Sequence, residues 1–208
     1  MSRCAVLFAL LFFGPQAVAQ KLLQKTIDVA GVSGIEIRTG TVHKITVISQ
    51  ARSTVFIEAK VAGETFEHAM LRTAVANGIL EIGMGQVPFF KAEDDKLAAH
   101  KVLAIEITIA VPRHFTVLVH AAMALVDAWG HFKNFDAALG TGNCNLNHFY
   151  GNASVRTKSG GIYITSLPGV GAVAVSKKGA VTNQLPLKAA KNIYAQSVTG
   201  PIVIKQKR

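Results

Sequence analysis

The sequence predicts an all-β fold: a single-stranded, β-helix-like solenoid stack preceded by a less regular β-rich half. Three observations predict it. Glycine recurs at Gly142, Gly160, Gly179 and Gly200, at spacings of 18, 19 and 21 residues. Each glycine stands between two short alternating segments, as in AALGTGNCNLN and VRTKSGGIYIT. Apolar residues also recur at fixed offsets from those glycines. A period near 20 residues is that of small repeated units that bury their apolar faces only against one another.

The elements follow in chain order. Residues 1–19 read as a secretory signal peptide: Arg3 is the positive start, Ala5 to Phe13 the apolar run, and Ala17-Val18-Ala19 the small-residue site for cleavage before Gln20. The apolar run is too short to span a bilayer, so the mature chain is expected without a transmembrane segment. Residues 20–208 are expected as one solenoid-like domain, irregular over 20–112 and regular over 113–208. The protein is expected in the periplasm, on the cell surface or secreted. Only Cys144 remains after processing, so no internal disulfide is available.

Alternation and β-branched content predict strands at 26–29, 35–38, 44–48 and 54–61. Residues 64–76 fit either a helix face (Phe66, Met70, Leu71, Ala74) or a strand (Leu71, Thr73, Val75). Asn77-Gly78 favours the strand, as the turn of a hairpin into Ile79–Ile82. Residues 83–100 read as a loop or short helix. Strands resume at 102–111, ending at Pro112, and continue at 115–120 and 124–128.

Within the repeats, Cys144, Ile162, Val181 and Ile202 stand two places after each glycine, and Leu146, Ile164, Asn183 and Ile204 four places after. These are expected to stack inward as ladders. Asn183 interrupts the second, and Leu185-Pro186-Leu187 reads as a longer loop there. The intervening positions point outward, because side chains alternate along a strand. They are Asn145, Tyr163, Thr182 and Val203, then the wholly polar set Asn147, Thr165, Gln184 and Lys205.

A cleavable leader, a β-rich first half, a strand ending at Pro112, and S/T-x-x-G units such as Thr157-Lys158-Ser159-Gly160 followed by Ile162-Tyr163-Ile164 together resemble the bacterial putative-adhesin families of unknown function, including the auto-transporter adhesin head type. The resemblance covers most of the mature chain. It implies a β-solenoid-like fold and a bacterial source, and it implies no catalytic residues. The long loop with Phe89-Phe90 and the weak third unit depart from the family's pattern.

The net charge is +10, or one less after loss of Arg3. Such a balance favours anionic partners. An exported protein rarely meets nucleic acid, which leaves anionic polysaccharide, lipid headgroups or an envelope protein. Lys158 and Lys177 both stand two places before a glycine, with Arg156, Lys178, Lys188 and Lys191 near by. They read as a basic ridge for an anionic polymer, or as lysines that block edge pairing. The candidate binding residues are therefore Lys158, Lys177, Asn147, Thr165, Gln184 and Lys205. Trp129, Phe132, Phe135, Phe149 and Tyr150 read as aromatic corners of the core, with sugar contact as the alternative.

Catalysis finds little support. A polysaccharide lyase or hydrolase, the enzymatic alternative on such a scaffold, needs facing acids and bases. From residue 121 the only carboxylates are Asp127 and Asp136, nine residues apart. Glu93-Asp94-Asp95 lacks the glycine and alternate spacing of a calcium loop. The seven histidines contain no H-x-x-x-H pair, although His131 and His148 stand about one unit apart. Cys144 sits in an inward ladder and reads as core. The expectation is a non-enzymatic module, adhesin-like or structural, with no catalytic residue, metal or cofactor.

Overall fold

The computed structural model describes residues 20–63, 66–88 and 103–207. The expected leader, the Phe89-Phe90 loop and Glu93-Asp94-Asp95 lie outside the described residues. Fifteen strands form one mixed sheet: β1 (Gln20–Asp28), β2 (Gly34–Thr39), β3 (Lys44–Gln50), β4 (Thr54–Gly63), β5 (Ala69–Ala76), β6 (Ile79–Gln86), β7 (Leu103–Pro112), β8 (Phe115–Met123), β9 (Leu125–Thr141), β10 (Cys144–Ser159), β11 (Ile162–Ser166), β12 (Val170–Ser176), β13 (Val181–Asn183), β14 (Lys191–Ser197) and β15 (Ile202–Gln206). A 3₁₀ turn at Phe66–His68 is the only helical element among the described residues.

The long strands β9 and β10 bend, at Gly130 and at His148–Gly151, and so contribute to two faces. The first face runs β1-β4-β7-β3-β9-β10-β11-β15-β13. The second runs β5-β6-β2-β8-β9-β10-β14-β12. Alternating residues of both faces enter one core. Val126, Cys144, Ile162 and Ile202 form a row in it on the first face, and Ile37, Val119, Ala137, Val155 and Ala195 on the second. At the corner between them Phe132, Phe135 and Phe149 pack with centroids 5.5 to 6.2 Å apart. The corner role expected of these three rings is the one they have. The Asn77-Gly78 hairpin also forms, with β5 antiparallel to β6.

The single-stranded solenoid is not what forms. The sheet is mixed: β1–β4, β4–β7 and β5–β6 are antiparallel and the other pairs parallel. Nor does the chain climb in order. The β2–β3 unit leaves both edges open, and the later strands β6 and β7 pair on one side of it while β8 and β9 take the other. At the opposite end β14 and β15 slip beneath β12 and β13, next to β10 and β11. The inward ladder is thus Cys144–Ile162–Ile202–Val181, and Val181, placed last, is 42% exposed rather than inward. The edge strands β1 and β5 are tied by lysines: Lys21 Nζ donates to the Glu67 and Ala69 carbonyls (2.7 and 3.0 Å) and Lys25 Nζ to Thr73 Oγ1 (2.6 Å).

The recurring glycines form a column in the same rearranged order. A Cβ on Gly142 would lie 1.9 Å from the Ala124 carbonyl oxygen, one on Gly160 2.0 Å from that of Gly142, one on Gly200 1.7 Å from that of Gly160, and one on Gly179 2.1 Å from that of Gly200. Close approach excludes a side chain at all four positions. A φ in the left-handed region adds to it only at Gly142 and Gly160, so Gly179 is a glycine for space rather than for φ.

Gly200→Ala is expected to destabilise the fold by about 2 kcal/mol or more, since backbone must move to admit the methyl group. Gly40→Ala, where a Cβ meets nothing within 4 Å, is expected to change stability by less than about 0.5 kcal/mol. Urea unfolding of the two variants compares them directly. Cys144 is fully buried, and burial together with the nearby Asp127 charge raises its thiol well above the ordinary range. Native thiol labelling is therefore expected to be slow and to accelerate only on unfolding; rapid labelling at neutral pH would contradict the inward register.

Candidate functional site

Parallel pairing in strict register turns alternate outward residues into rows, spaced about 4.8 Å from strand to strand. On the first face one row reads Trp129, Asn147, Thr165, Lys205. The Gln184 N–H donates to the Ile204 carbonyl (3.0 Å), one step beyond the Asn183–Ile204 pair, which sets Gln184 next to Lys205. The four polar residues singled out by offset thus share one row, with Lys205 and Gln184 in reverse of chain order. A second row beside it reads Asp127, Asn145, Tyr163, Val203, Thr182.

Between the two rows lies a groove of about 320 Å³, lined by Asn145, Asn147, Tyr163, Thr165, Val203 and Lys205. Tyr163 is 40% exposed. A Cβ on Gly161 would lie 2.5 Å from Tyr163 Cε2, so the ring lies over the bare backbone of Gly161. Asn145 Nδ2 donates to Asp127 Oδ1 (2.7 Å), which fixes the Asn145 amide and turns its oxygen away from that carboxylate. The groove therefore offers an aromatic surface beside amides, a hydroxyl and an ammonium. That combination matches a sugar ring, which has an apolar face and a rim of hydroxyls.

Lys158 and Lys177 lie elsewhere, toward the far end of the second face. Sequence spacing puts them in successive units, but β14 intervenes. The Val198 N–H donates to the Thr157 carbonyl (3.2 Å) and the Lys177 N–H to the Ser197 carbonyl (3.2 Å), so Val198 separates the two lysines. The expected basic ridge is accordingly not a continuous row. Asp127 and Asp136 both lie on β9 but on opposite sides of the Gly130 bend. Asp127 pairs with Asn145 on the first face and Asp136 with Ser154 on the second, so they do not face each other. His131 meets Tyr150, with ring centroids 5.4 Å apart, rather than stacking with His148. No group of three or more metal-ligating side chains occurs among the described residues.

Sequence reasoning missed Trp129 and Asp127 as extensions of the two rows. The signal was present: each stands 18 residues before its neighbour, Asn147 or Asn145. The unit begins at Ala124, under Gly142, where alanine replaces the marker glycine.

No family model matches the chain, and no curated protein matches it. Solved structures do. A putative cell adhesion protein from Clostridium sporogenes is similar over 91% of this chain and all of its own, with a TM-score of 0.60 at 16% identity. A putative adhesin from Bacteroides fragilis matches 90% of this chain and 99% of its own, with a TM-score of 0.41 at 12% identity. The first shows a shared fold. The neighbours carry the putative-adhesin description that the S/T-x-x-G units suggested. No helix among the described residues is long and apolar enough to cross a membrane.

His131 sits where the two faces meet. Its pKa lies below the ordinary 6.5, first because burial disfavours the charged ring and then because Arg113 and His114 repel it. A folded pKa below the unfolded one means that the unfolded chain binds the proton more readily. This contribution to stability is complete above about pH 6.5 and is lost as pH falls from there through the lower pKa of the folded state. His131→Gln is expected to flatten the loss of thermal stability between pH 7 and 5, and the His131 ring to titrate below 6.5 by NMR.

Proposed function

We propose that this protein is an exported, non-enzymatic, adhesin-like module that binds an envelope or extracellular polysaccharide along the groove beside Tyr163. One observation carries the reading. Asn147, Thr165, Lys205 and Gln184, chosen by offset alone, occupy a single row next to an exposed tyrosine face. A linear polymer laid across the strands meets a polar group at each step of about 4.8 Å. Tyr163 supplies the apolar contact, the amides select hydroxyls, and Lys205 favours a chain bearing carboxylates or sulfates. The separation of Asp127 from Asp136 supports binding over the lyase or hydrolase alternative, which needs its acids together.

Glycan-array screening followed by titration tests the proposal. Tyr163→Ala is expected to weaken binding about tenfold, in keeping with a stacking contact of roughly 1 kcal/mol and more. Lys205→Ala is expected to cost at most about 1 kcal/mol and to reduce the salt dependence. Cleavage of a bound polymer, or affinity indifferent to both Tyr163→Ala and Asn147→Ala, would overturn it.

A further inference from the structure

The second face changes character at its far end. Its outward rows carry Asp136 and Ser154 on β9 and β10, but Tyr194 and Val173 in the same row on β14 and β12. In the next row Arg156 and Gln196 are followed by Val175. Val173, Tyr194 and Val175 are 39%, 45% and 46% exposed. Beside them a cleft of about 390 Å³ is lined by Leu139, Gly140, Thr157 and Val198 together with Arg156 and Lys158.

The loop after β13 adds a tip. Leu187 is 74% exposed, and the loop that displays it is pinned. The Ala172 N–H donates to the Pro186 carbonyl (2.8 Å), and Asn192 clasps Ala189 through both its amide atoms at 3.1 Å. Four exposed lysines adjoin this apolar surface: Lys158 and Lys177 on either side of Val198, Lys178 next in the chain after Lys177, and Lys188 next after Leu187. No carboxylate side chain follows Asp136 in the chain.

We propose that this end of the molecule, the outer face of β12 and β14 with the Leu187 tip, docks on an anionic lipid bilayer. The lysines meet the phosphates, and Leu187 and the valines enter the boundary between headgroups and acyl chains. An apolar patch rimmed by cations is what such a surface attracts. A soluble anionic polymer would use the lysines but leaves the apolar residues without a role. Pairing of two copies through β12 is opposed by the Pro186–Ala189 segment, which already takes up the outer edge of β12 at Ala172.

Co-sedimentation of the mature chain with phosphatidylcholine vesicles, with and without phosphatidylglycerol, tests the proposal. Binding is expected only with phosphatidylglycerol. Lys177→Ala and Lys178→Ala are each expected to weaken it about fivefold, the equivalent of roughly 1 kcal/mol per lysine near a charged surface. Leu187→Gln, an uncharged change at an exposed site, is expected to weaken it severalfold at unchanged thermal stability. Tyr163→Ala, on the other face, is expected to leave vesicle binding intact, which separates this surface from the polymer groove. Failure to bind the anionic vesicles overturns the proposal. So does binding that needs the lysines but is indifferent to Leu187→Gln and Val175→Thr, the signature of a site for soluble polyanions. A dimer in sedimentation that Val175→Lys dissolves, without vesicle binding, would assign the patch to a second copy instead.

Discussion

One repeated contact sets the geometry of the stack: a hydroxyl three residues before a glycine, bonded to the glycine of the neighbouring unit. Ser197 Oγ accepts from the Gly200 N–H (2.9 Å) and donates to the Gly160 carbonyl (3.3 Å). Ser176 Oγ accepts from Gly179 (2.9 Å) and donates to the Gly200 carbonyl (3.0 Å). Thr157 Oγ1 lies 3.5 Å from the Gly142 carbonyl. This gives the S/T-x-x-G units a physical meaning. The hydroxyl satisfies backbone groups that the corner takes out of the ladder, at a site where an unpaired polar group would cost about 1–3 kcal/mol. The glycine lets the next corner approach to contact. Register on both faces then follows, because each strand starts a fixed number of residues from a corner.

The same contact does not care about chain order. Ser197 makes to the Gly160 carbonyl the contact that Ser176 makes to that of Gly200, so β14 and β15 settle on β10 and β11 although β12 and β13 come first. That choice decides what is on the surface. Lys205 comes to stand beside Thr165, and Val181 is left at the end with solvent on one side. Lys158 and Lys177, alike in sequence position, are parted by Val198.

Offsets from the glycines made the inward and outward sets legible, because the period of two along a strand is independent of which strand lies next. Cys144, Ile162 and Ile202 are core for that reason, and Asn147, Thr165, Gln184 and Lys205 share a row for the same one. Adjacency was not legible, since nothing in the spacing ranks Gly179 against Gly200 as the next partner of Gly160. The mixed N-terminal half was hidden by a different cause: β4, β5 and β6 alternate like the strands that pair in parallel, and alternation carries no direction. Only the Asn77-Gly78 turn announced an antiparallel pair. The groove itself depends on Tyr163 lying over Gly161, a contact between neighbours two residues apart that no repeat pattern reveals.

Charge is distributed along the stack as unevenly as apolar surface. The ion pairs of the described residues join Arg38 and His120 to Glu36, Lys60 to Glu58 and His43 to Glu106, all before β9. These pairs are exposed or partly so and contribute little to stability, but Arg38 with Glu36 and Lys60 with Glu58 cancel charge locally. Beyond Asp136 no carboxylate side chain is available to do so. The field is therefore directional, weak over the N-terminal units and positive over the C-terminal ones. An anionic partner would be drawn to the C-terminal units before any contact forms, and both surfaces described above lie there. On the first face the positive field meets amides and a tyrosine ring, and on the second it meets valines and a leucine tip. The field can gather partners of one sign, and the side chains between the cations then decide which kind of partner each face keeps.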